Sequence, residues 1–354
     1  MQINQGFSCK NFSPLNPDRQ QFDDAIKTGK GSSGQTAKYA VSYLEKHKPL
    51  LVLIENVPGL CKGFTKRDAV SGERVVDPDS NLAVLLAKLR SLGYVAPYHI
   101  LNPKARVDVR RARVWFACYF WPALLECGEA AAQLTDMSSE LLRHLSQPVD
   151  RCYLMGDLLL DESHKVFEFW NRAACSGREQ KAAGEVEDSR FKWCELHKQT
   201  YTSAGLEWPP VFGTAFARMC QSARMTEREC EIVHFYDRTN SVELLAAEDQ
   251  ALDLSQSIVR AAFAGGVMPC ITPRSRLWLR RRRRWLLAPE AVACQGYDAP
   301  TNLSDWSHRQ VLDLIGNSFH GESSLLSLAV ALASAPSVAT ASLRAREEDG
   351  GAAM

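Results

Sequence analysis

Residues 49–60 read PLLVLIENVPGL, and this stretch decides the fold. Leu50 to Ile54 is an unbroken apolar, β-prone run. Such a run marks a strand buried on both faces, as in parallel sheets. In parallel sheets the ligand crevice lies at the carboxyl ends of the strands. Glu55 falls at that end, followed by Asn56, Val57 and a Pro58-Gly59 turn. Upstream, Ala37, Val41 and Leu44 repeat at helical spacing within 33–47, and Pro49 is a stop signal for that helix.

Working outward, residues 6–16, GFSCKNFSPLN, place Cys9 in a loop bounded by Gly6, Pro14 and small polar residues. Downstream, Leu82, Val84, Leu85 and Leu89 predict an amphipathic helix over 81–92, closed by Gly93. Strands are expected at 95–101 and, after the basic loop ARVDVRRAR, at 114–120. The alternation predicts an α/β fold. Residues 122–264 show no such rhythm; within them Thr226 and Glu229 have capping-box spacing, with Met225 and Cys230 as a candidate hydrophobic staple. Order returns at 265–335, which contains Arg280, Arg281, Arg282, Arg283 and Arg284 between Trp278 and Trp285. The composition of 336–354 predicts a disordered tail.

The whole chain has 354 residues, 45% of them hydrophobic, enough for one large domain or two modest ones. A formal net charge of +1 points to no partner by itself. Eleven cysteines without paired spacing suggest free thiols in a reducing compartment. The start, MQINQGFSCK, lacks a basic then apolar leader pattern, so no signal peptide is expected. No apolar run reaches the ~18 residues of a membrane span. Cys194 and His197 have the spacing of half a zinc site, but no second pair follows, so no metal is expected. GKGSSG, residues 29–34, lacks the frame of a phosphate loop.

A thiolate adds to an electron-poor carbon, and carbon 6 of cytosine is such a carbon once the ring is held at nitrogen 3 by an acid. Cys9 and Glu55 are the matching pair, with burial at a strand end expected to raise the acid's pKa. Addition makes carbon 5 nucleophilic, ready for a methyl group from a sulfonium donor. Taken singly, each residue also has an ordinary role: a loop thiol, a strand-end cap, a surface charge cluster. The arginine run either tracks phosphates or is a solvated face.

Together these residues resemble the cytosine-C5 methyltransferase family. GFSCKNFS at 6–13 resembles its nucleophile motif G-x-P-C-Q-x-F-S, and Glu55-Asn56-Val57 its Glu-Asn-Val motif. VRRARVWFACYF resembles Q-x-R-x-R before a strand, carrying over Arg111 and Arg113. Leu92–Tyr94 and Leu101-Asn102 match two further landmarks. LAPEAVACQGYD resembles a late segment with Glu290, Gln295 and Gly296, and LIGNSFHG the final Gly-Asn-(Ala/Ser) motif with Gly316, Asn317 and Ser318. Ser8, Lys10 and Val109 depart from the family's Pro, Gln and Gln.

The resemblance implies a partial Rossmann-like, S-adenosylmethionine-dependent methyltransferase fold with an inserted target-recognition-like region. The expected parts are a core at 1–121, the recognition-like region at 122–264, the rest of the core at 265–335 and the tail at 336–354. It implies a DNA (cytosine-5-)-methyltransferase acting through a covalent Cys9 adduct on a flipped cytosine. Glu55, Arg111 and Arg113 would be its other catalytic residues. Asn317 and Ser318 would contact S-adenosyl-L-methionine. Ser13, Arg280–Arg284 and Gln295 would contact DNA, with RNA as the other substrate. Only eight residues precede Cys9, so the family's F-x-G-x-G cofactor loop is expected outside this chain, supplied by a second chain or lost. A tRNA cytosine-5 methyltransferase and a catalytically silent nucleic-acid-binding or partner-regulating fragment are the alternatives. A soluble, nuclear or otherwise intracellular protein with no membrane contact is expected.

Overall fold

The computed structural model describes residues 2–14, 16, 18–63, 65–67, 74–102, 111–122, 140–141, 155–176, 183–239, 250–262, 268–298 and 303–335. The expected tail and Val109 lie outside the described residues, as does most of the basic loop. Contacts divide the described chain into two compact units. The first holds residues up to 102, 112–141 and 323–335; the second holds Arg111 and 155–322. Residues 268–322 thus belong with 155–262, whereas the sequence reading grouped them with the amino-terminal core.

The first unit is α/β, as expected. Its elements are β1 (Gln2–Gly6), α1 (Ala25–Thr28), α2 (Gly31–His47), β2 (Leu51–Asn56), β3 (Thr65–Arg67), β4 (Arg74–Val76), α3 (Asn81–Ser91), β5 (Tyr94–Val95), β6 (Tyr98–Leu101) and β7 (Arg113–Phe120). The sheet runs β1-β2-β7-β5, with β6 also on β7; β3 and β4 pair separately. β2 is buried along its whole length. Its alternate residues serve two cores. Val52 and Ile54 pack in a cluster with Leu44, Leu82, Leu85 and Leu89. Leu51 and Leu53 pack with Tyr119, Ala331 and Ala335. Tyr119 Oη donates to Ala331 O at 2.9 Å.

Two expectations need correction here, and one strand was not foreseen. The sheet is mixed, because β2 pairs parallel with β1 but antiparallel with β7. The polar segment QINQG forms β1, whose backbone pairing with β2 needs no apolar run. The strand expected at 95–101 is two strands, interrupted at Ala96-Pro97. Pro97 has no N–H to give the ladder, although its carbonyl still accepts from Ala117 N at 3.0 Å.

The second unit holds α4 (Phe167–Ser176), α5 (Ala183–Ser203), α6 (Thr214–Ser222), α7 (Glu227–Thr239), β8 (Ala251–Asp253), β9 (Leu277–Leu279), β10 (Arg284–Trp285), α8 (Ala288–Cys294) and α9 (His308–Asn317). The three strands form an antiparallel sheet in the order β10-β9-β8. One core contains Leu277, Leu279, Leu286 and Ile315; the other contains Trp278, Trp285, Ile232 and Tyr201. Thr226 and Glu229 make the expected capping box, with Thr226 N to Glu229 Oε2 at 2.8 Å and Glu229 N to Thr226 Oγ1 at 3.3 Å. A last helix, α10 (Gly321–Ser334), ends the described chain. Among the described residues, no helix is long and apolar enough to cross a membrane.

Candidate active site

Cys9 lies three residues beyond β1, half-buried in a turn whose Phe12 and Ser13 amides both donate to Cys9 O at 3.0 Å. β1 ends level with the end of β2, the pair being Gly6 and Glu55. Asn56 joins the two segments. Its Nδ2 donates to Phe7 O at 3.0 Å, and its Oδ1 accepts from Val57 N at 2.9 Å. Asn56 is fully buried, so both bonds act away from water, where an unmade bond is costly. The Pro58-Gly59 turn packs closely on the same loop. A Cβ on Gly59 would lie 1.9 Å from Phe12 O, so only glycine fits.

Glu55 is 9% exposed. Its Oε1 lies 2.6 Å from Arg113 Nε. The expected acid is therefore oriented by a guanidinium. Ser13 is half-buried beside the loop, its carbonyl accepting from Asn16 N. Nearby thiols differ in character: burial pushes the Cys61 thiol up to about 11 and raises Cys118 further.

In the second unit, Arg111 is 4% exposed and spends its fork on backbone. Nη1 donates to Ile271 O at 3.1 Å and Nη2 donates to Ser318 O. That arrangement anchors the Gly316–Ser318 segment rather than offering donors to solvent. Gly316 itself has no room for a Cβ, which would meet Pro273 N at 2.2 Å. Asn317 and Ser318 end α9. Asn317 Nδ2 donates to Asp313 O at 2.9 Å and Ser318 Oγ to Ile315 O at 2.8 Å.

The arginine run is a hairpin turn, not one solvated stripe. Arg280 is 2% exposed and bonds Asp237, Tyr236 O and Gln250. Arg284 grips Glu290 through both Nη atoms, at 2.9 and 2.7 Å. Arg283 pairs with Asp237 at 2.5 Å, and Arg282 donates to Leu160 O. Arg281 is exposed in the turn. Arg280 and Arg284 cannot reach a phosphate without breaking buried ion pairs. The flanking Trp278 and Trp285 are core, packed edge to face at 5.2 Å. Gln295 is fully buried and has no surface from which to touch nucleic acid; Gly321 N donates to its backbone carbonyl.

Glu290 serves the fold as well. It also accepts from Leu287 N and Leu160 N. His197 is 1% exposed and its Nδ1 lies 2.7 Å from Glu231 Oε2, so the residue singled out as half a zinc site has a carboxylate partner. Among the described residues, no group of three or more His, Cys, Asp or Glu could hold a metal. Sequence reasoning missed Asn11 within the Cys9 loop and its α2 counterparts Ser33 and Thr36, which bond that loop. Their signal was faint, three polar residues with no motif of their own.

No protein-family model matches the chain. A curated relative, DNA (cytosine-5-)-methyltransferase DMT5 of Cryptococcus neoformans var. grubii, is 22% identical over 333 residues. The match covers 88% of this chain, which spans 12% of that relative's length. The likeness to cytosine-5 methyltransferases read from the motifs thus extends along most of the chain. Among solved structures, the S. pombe Dnmt2 methyltransferase is 13% identical with a TM-score of 0.40, covering 94% of this chain and 76% of that one. The Entamoeba histolytica methyltransferase EhMeth is 10% identical with a TM-score of 0.43 and the same coverages. The fold described above stands on the strands and helices themselves.

Proposed function

We propose that this chain, similar to cytosine-5 methyltransferases, is the part of a DNA (cytosine-5-)-methyltransferase that attacks the base. The supporting observation is the bonding of the Cys9 loop to the Glu55-Asn56 end of β2 through Asn56. In this reading the Cys9 sulfur forms a bond to carbon 6 of a cytosine flipped out of the duplex. Glu55, oriented by Arg113, faces nitrogen 3 as the protonated acid and donates the hydrogen bond that polarises the ring. The electron pair moves to carbon 5, which would take the methyl group as the sulfonium leaves as a neutral thioether. Loss of the carbon 5 proton to solvent then expels the thiolate and restores the aromatic ring.

S-adenosylmethionine, when bound, supplies an electrophilic methyl group on a sulfonium. The residues here fit part of such a site. Asn317 is exposed and its Oδ1 makes no hydrogen bond among the described residues, so it can accept from a donor hydroxyl or amine. Ser318 offers less, since Oγ is turned onto Ile315 O. Arg111 fixes the backbone of this pair.

The test is covalent trapping. The chain is incubated with S-adenosylmethionine and either a 5-fluorocytosine DNA duplex or a matching RNA hairpin. A denaturant-stable complex on DNA, lost in Cys9→Ser, is expected. A complex on RNA alone would move the substrate to RNA, and none with either would remove the reading.

A further inference from the structure

Helix α2 begins without a cap of its own. Its N-cap residue, Lys30, makes no side-chain cap bond. The first-turn amide of Ser33 instead donates to Asn11 Oδ1 of the Cys9 loop, at 2.8 Å. The bond is reciprocal, because Asn11 N donates to Ser33 Oγ at 3.0 Å. Ser33 is 0% exposed and Asn11 8%, so this pair is nearly dry. Two more contacts extend it. Ser8 N donates to Thr36 Oγ1 at 2.9 Å, and Ser8 Oγ lies 3.2 Å from Ser32 Oγ. Ser32 Oγ in turn donates to Asn11 Oδ1 at 3.3 Å. Thr36 Oγ1 passes its own proton back to Ser32 O at 2.7 Å, which fixes its lone pairs toward Ser8. Gly31, at φ +68, leaves space that a Cβ would take 2.8 Å from Asn11 Oδ1.

We propose that Ser8, Asn11, Ser33 and Thr36 are positioning residues that hold the Cys9 loop in one geometry by capping α2 with it. The inference rests on the reading of Cys9 as the nucleophile. Cys9 lies between two anchored positions, Ser8 and Asn11, so neither neighbouring peptide is free to swing. The Ser8 position also acquires a reason. The resembling family has proline there, and proline has no N–H to give. In this chain the N–H is the bond to Thr36. The residue is a replacement anchor rather than a lost one.

The test uses the full chain and needs no turnover. Thr36→Val keeps shape and removes the acceptor; Thr36→Ser keeps the acceptor. Asn11→Ala removes the cap. Two quantities are read: the rate of iodoacetamide alkylation at Cys9, resolved by peptide mass, and hydrogen exchange at the amides of 8–13. One cap bond is worth about 1 kcal/mol, a factor of about five in loop opening. Thr36→Val and Asn11→Ala are expected to raise both quantities about fivefold or more, with Thr36→Ser close to the parent. Ser8→Pro should match Thr36→Val, and Ser8→Ala, which keeps the N–H, should fall below it. Unchanged Cys9 alkylation and exchange in a folded Thr36→Val chain would overturn the proposal. If the rates shift as expected while the parent traps no base, positioning stands and the nucleophile reading falls.

Discussion

Arg113 Nε lies 2.6 Å from Glu55 Oε1, so the first residue of β7 holds the carboxyl group one residue short of the end of β2. Both side chains are about 12–13% exposed. Removing one member of such a buried pair strands the other, at a cost of about 3 kcal/mol. Arg113→Ala should lower the urea unfolding free energy by about that amount. Glu55→Gln keeps an acceptor for Arg113 but loses the acid, so it should lose base trapping while losing much less stability.

The Gly59 position tests how tightly the turn after Asn56 is pressed on the Cys9 loop. A Cβ there meets a backbone carbonyl at 1.9 Å, which no side-chain rotation relieves. Gly59→Ala should destabilise the fold by about 2–4 kcal/mol. A thermal melt reads the loss, and exchange at Phe12 and Ser13 should rise with it.

Within the arginine run the members should separate by role. Arg284→Ala leaves Glu290, which is 1% exposed, without its cation and should cost about 3–5 kcal/mol. Arg281→Glu should leave the melting temperature within experimental scatter. If Arg281 touches phosphate, its loss lowers affinity for any DNA sequence alike and reduces the salt slope by about one. A filter-binding salt titration with both variants checks this.

Acid should weaken the fold through buried imidazoles. Burial lowers the pKa of His308, an effect that its bond to Leu286 O and the nearby Glu290 oppose and that Arg276 and Arg309 reinforce. His99 and His234 are also lowered by burial. A histidine that resists protonation when folded takes a proton more readily when unfolded. Stability is therefore full above about pH 6.5 and falls below it, by at most about 1.4 kcal/mol per pH unit for each group. Urea unfolding at pH 7.5 and 5.5 should show the drop, and His308→Gln should shrink it.

The elements legible in the sequence were those with a period or a punctuation mark. β2, α2, α3 and β7 announce themselves by apolar runs, helical spacing and Gly93, and they lie within a few residues of expectation. β1 did not, because QINQG is polar and its place is fixed by backbone bonds to β2. The direction of β7 was equally hidden, since a run buried on both faces reads alike whichever way its neighbour points.

At the candidate site, motif letters named Cys9, Glu55 and Arg113 but not the bonds that relate them. Charge misled at 280–284. Five arginines in a row look like solvent, yet three of them find carboxylates from Asp237 and Glu290, which no local pattern links to them. Asn11 escaped notice because capping another segment's helix leaves no spacing signature.

Strand direction decides where the chemistry assembles. β1 and β2 run the same way and both finish at one rim of the sheet, whereas β7 runs against them and starts there. Two departing ends and one arriving end therefore deliver a thiol loop, a carboxylate and a guanidinium to a common border. Reversing β7 within its span would carry Arg113 to the place of Phe120, beside Leu50 and five residues from Glu55, about 17 Å along the strand, beyond the reach of its side chain. One inverted strand thus does the work of a long connecting loop, and the site inherits the rigidity of the ladder.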